Sequence, residues 1–216
     1  TATIGTSAVY EAIAKVVDKT KKVAAHNLEA SVVDVEFERG MFKVSGTDRS
    51  VSFLEVAQNT FNPAKIPDDV EPGLYEIATY RPKKANFPNG CHICEIEIDV
   101  DTGAVMIIRY TVVNDVGYEL NPLLVKGQIH GGIAQGAGQI LMENLAFDGA
   151  GQLLSGSFMD YAMPRADDFC NFDIEGRPVP TDTNPLGVKG AGECGTVGTM
   201  PAVMNAIVDA LSPLGV

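Results

Sequence analysis

The chain has 216 residues, 45% of them hydrophobic and 20% charged, enough for one large domain or parts of two with a sizeable core. Sixteen basic against 28 acidic residues give a net charge of −12, which disfavours nucleic acid and anionic membranes because phosphate contacts need Lys and Arg. No apolar run reaches the roughly 18 residues that span a bilayer, and no signal-peptide pattern opens the chain, so a cytoplasmic location is expected.

Residues 7–25 carry Val9, Ala12, Ile13, Val16, Val17, Val23 and Ala24 at the period of an amphipathic helix, with Thr6 or Ser7 to cap it. Val33, Val35 and Phe37 then alternate with acids, and Arg39-Gly40 turns that strand into residues 41–44 as a hairpin. Ser52 and Glu55 form a capping box for a short helix to about Phe61, with Val51 and Val56 placed to staple it. Pro63, Pro67 and Pro72 read as a linker. The expected domains are therefore 1–70, a small α/β unit, and 71–216.

The second part opens with strand-like runs at 74–80 and 91–100, and Asp101-Thr102-Gly103 turns into a further strand at 104–113. Cys91 and Cys94, three apart on a strand, point to opposite faces and make a poor zinc half-site. The four cysteines are expected to be free and reduced, with no structural metal. From about 123 to 145 a helical stretch carries Gly127, Gly131, Gly132, Gly136 and Gly138. Each interior glycine costs a helix roughly 0.5–1 kcal/mol relative to Ala, so five of them imply backbone packed against another helix or against a ligand. A strand at 170–174 and a helix at 200–211 close the chain.

Residues 184–195 read NPLGVKGAGECG, a glycine run with one carboxylate, Glu193. Gly190, Gly192 and Gly195 satisfy GxGxxG, but no buried strand precedes them, Glu193 would sit where a pyrophosphate belongs, and no second strand with a ribose-binding acid follows. His26, His92 and His130 are scattered, and Cys194 has no neighbouring His in sequence, which disfavours Cys/His or Ser/His/Asp catalysis. Glu143, Asp160, Asp167 and Asp168 could each supply a second carboxylate. Two readings of Glu193 stand level: a general base whose pKa is raised by partial burial, and an acid placed at a helix N-terminus for its dipole.

Four stretches together resemble the C-terminal part of the molybdenum-binding large subunit of the xanthine dehydrogenase/aldehyde oxidase/carbon monoxide dehydrogenase family. They are SAVYEA at 7–12, DTG at 101–103 with NPLLVKGQIHGGIAQGAG at 121–138, MDYAMPR at 159–165, and NPLGVKGAGECG. The resemblance implies an α+β fold of small mixed sheets packed with helices in a two-layer sandwich. It implies molybdenum-dependent hydroxylation of an aldehyde, an N-heterocycle or carbon monoxide. Glu193 would be the base that takes a proton from a hydroxyl on molybdenum while hydride passes to the metal's sulfido ligand.

The cofactor implied is molybdenum-molybdopterin, as the cytosine dinucleotide, contacted by Gln128, Lys189, Gly190, Gly192, Thr1 and Thr3. Thr1 and Thr3 fall at the end of a cofactor loop that lies mostly upstream, so the chain by itself is expected to hold no cofactor and to be inactive. The chain starts without Met, as a processed product or a piece of something larger would. The partners implied are the rest of the molybdenum subunit, iron–sulfur and flavin subunits or domains, and a small-molecule substrate. Two rival readings remain: a scaffold that keeps the fold without the chemistry, and a nucleotide-dependent dehydrogenase built on GAGECG.

Overall fold

The computed structural model describes residues 2–215, and the chain divides into two units, Thr1–Pro82 and Lys83–Val216. In the first, helix α1 spans Ala2–Asn27, so Thr6 and Ser7 lie inside it rather than at its cap. Thr3, Ile4 and Gly5 have weak helix propensity, which hides the first turns from a periodicity reading. Strands β1 (Val35–Glu38) and β2 (Met41–Val44) pair antiparallel with Glu38 opposite Met41. Between them Arg39 (φ 49°) and Gly40 (φ 78°) are both left-handed, the turn whose twist matches that of the strands.

A third strand, β3 (Ser50–Ser52), pairs with β2 and is too short to show alternation in the sequence. Helix α2 (Phe53–Asn59) starts at Ser52, whose Oγ accepts from Glu55 N at 3.1 Å, as the capping signal predicts. Val23 and Ala24 of α1 close over Val35, Phe42, Val44, Val51 and Val56 to form this unit's core.

Residues 74–80 form no strand. The alternation of Leu74–Tyr80 is satisfied instead by irregular chain held against α1. Lys15 Nζ donates to Ile77 O at 2.7 Å, and Lys19 pairs with Glu76 at 3.3 Å. That anchoring places the segment with the first unit, so the division falls after Pro82 and not after residue 70.

The second unit is a mixed sheet, in the order β4-β5-β6, covered by two helices. Strands β4 (Asn89–Ile98) and β5 (Val105–Asp115) pair antiparallel, and β6 (Phe172–Gly176) runs parallel to β5, two residues later than the sequence reading. At the β4–β5 turn, Asp99 Oδ1 accepts from the backbone N–H groups of Thr102 and Asp101, both at 2.9 Å. Those bonds hold the Asp99 carboxyl below its usual pKa. Gly103 supplies the required φ of 73°.

Helix α3 spans Pro122–Leu141, with Asn121 Oδ1 capping Leu124 N and proline at the first position. It ends before residue 145 because Met142 leaves helical geometry, with Met142 N and Glu143 N both bonded to Gly138 O. Helix α4 spans Cys194–Leu211, beginning six residues before the expected start at Met200. Pro201 reads as a first-turn proline yet lies within the helix. By length and composition alone, residues 194–214, with a mean hydropathy of 1.2, could cross a membrane. Here Gly195, Thr199 and Val203 of α4 are buried in the unit, the last in a core with Tyr110, Val112, Ile129, Ile133 and Ala137.

Candidate active site

The glycines of α3 divide by face. Gly132 and Gly136 carry the helix against α4: a Cβ on Gly132 would meet Thr196 N at 2.8 Å and Gly195 Cα at 2.9 Å, and one on Gly136 would meet Thr199 Cβ at 2.9 Å. Gly195 answers from the other side, where a Cβ would lie 2.6 Å from Ile129 O. Gly127 and Gly131, one turn apart on the exposed face, would have nothing within 4 Å of an added Cβ. Packing against another helix therefore accounts for the first pair, and the second pair leaves its face open to an outside group.

The glycine motif is pinned to the end of β5. Gly187 turns the chain at φ 66°, and its carbonyl accepts from Tyr118 N at 2.9 Å. Asn184 closes the loop on itself, its Nδ2 donating to Val188 O at 2.8 Å and its Oδ1 accepting from Val188 N at 3.1 Å. Lys189 Nζ lies 2.5 Å from Asp115 Oδ2, and both side chains are almost buried, at 10% and 13% exposure. Asp115 Oδ1 also accepts from Gly117 N and Val179 N, each at 2.9 Å. Burial works to raise the Asp115 pKa, but Lys189 and the two amides outweigh it and pull it down to about 2. The charge of Lys189 is thus spent on holding the loop, where the sequence reading assigns it to the cofactor.

That loop delivers residues 190–193 to the start of α4. Glu193 is the N-cap residue, in αR geometry, and its side chain caps no backbone N–H. It is exposed, so the burial expected of it is not met within this chain. Gln128 is exposed too, on the second turn of α3, and its Oε1 lies 4.0 Å from where a Cβ on Gly192 would stand. Gly190 is exposed with open space beside it. Neither Gly190 nor Gly192 has the positive φ that would demand glycine.

The exposed residues Gly127, Gln128, Gly131, Gly190 and Gly192 set four glycines around one neutral amide, a shelf joined where Gln128 approaches Gly192. A flat group with a polar edge, such as a pterin, fits it: glycine permits close approach and the amide offers both a donor and an acceptor. Thr3 lies in the first turn of α1, in helix rather than in a loop. Thr1 lies outside the described residues.

Behind Glu193 a cavity of about 340 Å³ opens between the start of β4, the end of β5 and α4. Phe87, Pro88, Val197 and Cys194 give it apolar walls, and His92, Asn114 and Asn89 are the polar groups beside Glu193. Sequence reasoning gives His92 no role; its only signal is a polar residue at the head of a strand. Cys194 and His92 share this cavity, yet the Cys194 thiol donates to Ala191 O at 2.9 Å and burial raises its pKa, so it is no thiolate nucleophile.

Three of the other acids are absorbed locally. Glu143 accepts from Tyr161 OH at 2.6 Å, Asp160 from Ser157 Oγ at 2.6 Å, and Asp168 from Arg165 N at 2.7 Å. His130 Nδ1 meets Lys126 O at 2.8 Å. Among the described residues no three His, Cys, Asp or Glu gather as a metal site. The four cysteines are unpaired. The GxGxxG spacing does not make a dinucleotide turn: Val188 forms only an isolated antiparallel bridge, with Gly117, and Gly195 is buried against α3.

The sequence model of the molybdopterin cofactor-binding domain family matches residues 1–170. The chain is 39% identical to the nicotine 6-hydroxylase large subunit of Paenarthrobacter nicotinovorans, over 99% of this chain and 26% of that protein. It is 33% identical to the carbon monoxide dehydrogenase large chain of Hydrogenophaga pseudoflava, over 97% and 26%. The crystal structure of quinoline 2-oxidoreductase from Pseudomonas putida 86 superposes with a TM-score of 0.86 at 36% identity, over 94% of this chain and 26% of that one. The chain thus spans about a quarter of the length of the relatives it matches.

Proposed function

The chain belongs to the molybdopterin cofactor-binding domain family, and from that premise we propose that it forms one wall of the active site of a molybdenum hydroxylase large subunit, with Glu193 as general base. The observation that carries the reading is the approach of Gln128 on α3 to Gly192, the residue before Glu193 at the head of α4, although 65 positions separate Gln128 from Glu193 in sequence. When bound, the molybdenum–pterin group supplies the redox chemistry of a hydroxylation by water-derived oxygen. Gln128 would orient it through its amide, and Gly190 and Gly192 would let it approach the backbone. Glu193 accepts, at a carboxylate oxygen, the proton shed by the attacking oxygen.

Lys189 acts one step back, fixing the loop that presents Glu193. Thr1 and Thr3 stand as proposed contacts on the resemblance alone, as do the cytosine dinucleotide form, the iron–sulfur and flavin partners and a cytoplasmic location. The substrate is an aldehyde, an N-heterocycle or carbon monoxide. The relatives named for nicotine and quinoline share 39% and 36% of aligned residues against 33% for the carbon monoxide enzyme, which favours an N-heterocycle. The chain by itself is proposed to be inactive, because the shelf is open and Glu193 is exposed.

The test is Glu193→Gln in the complete subunit, an isosteric change that removes the proton acceptor. Turnover should fall by about 10²–10⁴ with molybdenum content at the wild-type level. Turnover within a few fold of wild type would leave Glu193 without a catalytic role, as the scaffold reading has it.

A further inference from the structure

The cavity behind Glu193 ends on a hydrogen-bond chain whose direction is fixed. Thr199 Oγ1 donates to Gly195 O at 2.7 Å, within α4. Its single proton is thereby used, so in the 2.7 Å contact between Tyr110 OH and Thr199 Oγ1 the tyrosine donates. The Tyr110 proton is used in turn, and in the 2.8 Å contact with His92 the ring Nδ1 must therefore be the donor. Burial pushes the Tyr110 pKa up to about 12, which keeps its proton in place. The neutral His92 ring is thus held as the Nδ1–H tautomer, with a lone pair on Nε2. Nε2 lies beside the Asn114 amide, and the ring stands against Gly198, where any side chain would collide with it.

Asn114 lines the same cavity, is only 3% exposed, and has both Nδ2 and Oδ1 buried without a hydrogen-bond partner among the described residues. An unsatisfied buried amide costs about 1–3 kcal/mol, and native proteins relieve it with a partner or an ordered water. The cavity has room for on the order of ten waters at about 30 Å³ each. Its polar groups are an acceptor at His92, the amides of Asn114 and Asn89, and the carboxylate of Glu193 at the edge.

We propose that this cavity holds a file of water joining Glu193 to His92 Nε2, and that His92 is where the proton collected by Glu193 goes next. The inference rests on the reading of Glu193 as base. The proton on the Glu193 carboxyl passes to a water, which hands one of its own protons to Nε2. The ring then carries an N–H on each nitrogen, and it returns to the Nδ1–H form when Nε2 releases the proton to solvent. The Tyr110–Thr199 chain keeps Nε2 the free acceptor throughout and ties the ring to the helix turn that begins at Glu193. His92 is half-buried, and the titratable groups facing it are Tyr110 from β5 and Glu193 and Cys194 from the head of α4. Desolvation lowers the His92 pKa, opposed by the adjacent Asn114 amide, so the ring is neutral and able to accept at pH 7.

Two measurements on the complete, cofactor-loaded subunit test the relay. A crystal structure at a resolution that shows waters should find them bonded to His92 Nε2 and Asn114 and reaching Glu193. A dry cavity, or one filled by a side chain from the rest of the subunit, overturns the proposal. In kinetics, His92→Ala should lower kcat by about tenfold or more, raise the solvent isotope effect, remove any acid-side loss of kcat that protonation of the ring causes, and recover with added neutral imidazole. Tyr110→Phe, which frees Nδ1 and lets the tautomer invert, should show a smaller loss of the same kind. Unchanged kcat and isotope effect in both variants, with Glu193→Gln inactive, would remove His92 and leave the base standing. An active Glu193→Gln removes the base itself, whatever the His92 variants do.

Discussion

The two edges of α3 use the same residue for opposite purposes. Gly132 and Gly136 lie under α4, where a methyl group would strike Thr196 N at 2.8 Å or Thr199 Cβ at 2.9 Å. Gly127 and Gly131, no more than a turn or two away, face open space with nothing within 4 Å. On one edge glycine is required by this chain's own packing. On the other its helix-weakening cost of about 0.5–1 kcal/mol goes uncompensated by anything within the chain. Such an uncompensated cost is expected where another molecule must come close, and the open pair flanks Gln128.

The largest expected effect comes from breaking the packed edge. Gly195→Ala would place a methyl 2.6 Å from Ile129 O and 3.0 Å from Gly132 Cα, both backbone atoms that cannot swing aside. Overpacking of this kind costs about 1–3 kcal/mol, and a backbone clash belongs at the upper end. Denaturant unfolding followed by circular dichroism should show that loss. Adding Gly132→Ala should cost less than the sum of the single changes, because the first methyl already parts the helices at the shared contact. Strict additivity would mean that the two glycines do not meet across one interface.

The anchor of the loop comes next. Lys189→Met removes one partner of a pair whose side chains are 10% and 13% exposed, between an exposed pair and a fully buried one. The expected cost is about 2 kcal/mol at pH 7. The pH dependence follows from Asp115, whose pKa is lowered from 3.8 to about 2 in the fold. A depressed carboxyl stabilises the fold fully above its unfolded value and loses that contribution as pH falls through the folded one. Stability of the parent chain should therefore drop between about pH 4 and pH 2, and this limb should be shallower in Lys189→Met, which has less to lose. An acid limb identical in the two proteins would show that Lys189 does not set the Asp115 titration.

Local signals carried most of the first unit. The Arg39-Gly40 turn and the Ser52 cap act within a few residues, and each is where the sequence places it, whereas α1 begins before its expected cap and leaves Val9 and Ile13 of its apolar period exposed. What the sequence could not carry depends on chain far away. Residues 74–80 alternate like a strand, but they pair with no strand and instead lie on Lys15 and Lys19. Pro201 looks like a helix start, yet α4 runs through it because Gly195 and Thr199 are buried against α3, upstream of the proline. In the site, Glu193 and Gln128 could be named from the motifs that surround them. The partner of Lys189 could not, because Asp115, 74 positions away, is invisible to spacing. His92 left no trace, since its role depends on Tyr110 and Thr199 meeting it in space.

The smallest expected effect has the opposite sign and separates the two edges most cleanly. Gly131→Ala adds a methyl where the helix has open space, so within this chain it should stabilise α3 by about 0.5–1 kcal/mol through helix propensity. The same substitution in the complete subunit should lower molybdenum retention on dialysis, because the methyl would stand on the shelf beside Gln128. Gly132→Ala, at the next position, should destabilise the isolated chain. A pair of adjacent glycines giving opposite signs of stability change, with only the stabilising one costing bound metal, is the outcome the two-edge reading requires. If Gly131→Ala stabilises the chain and leaves molybdenum retention unchanged, the open glycines are an ordinary exposed helix face, and the shelf is reduced to Gln128, Gly190 and Gly192.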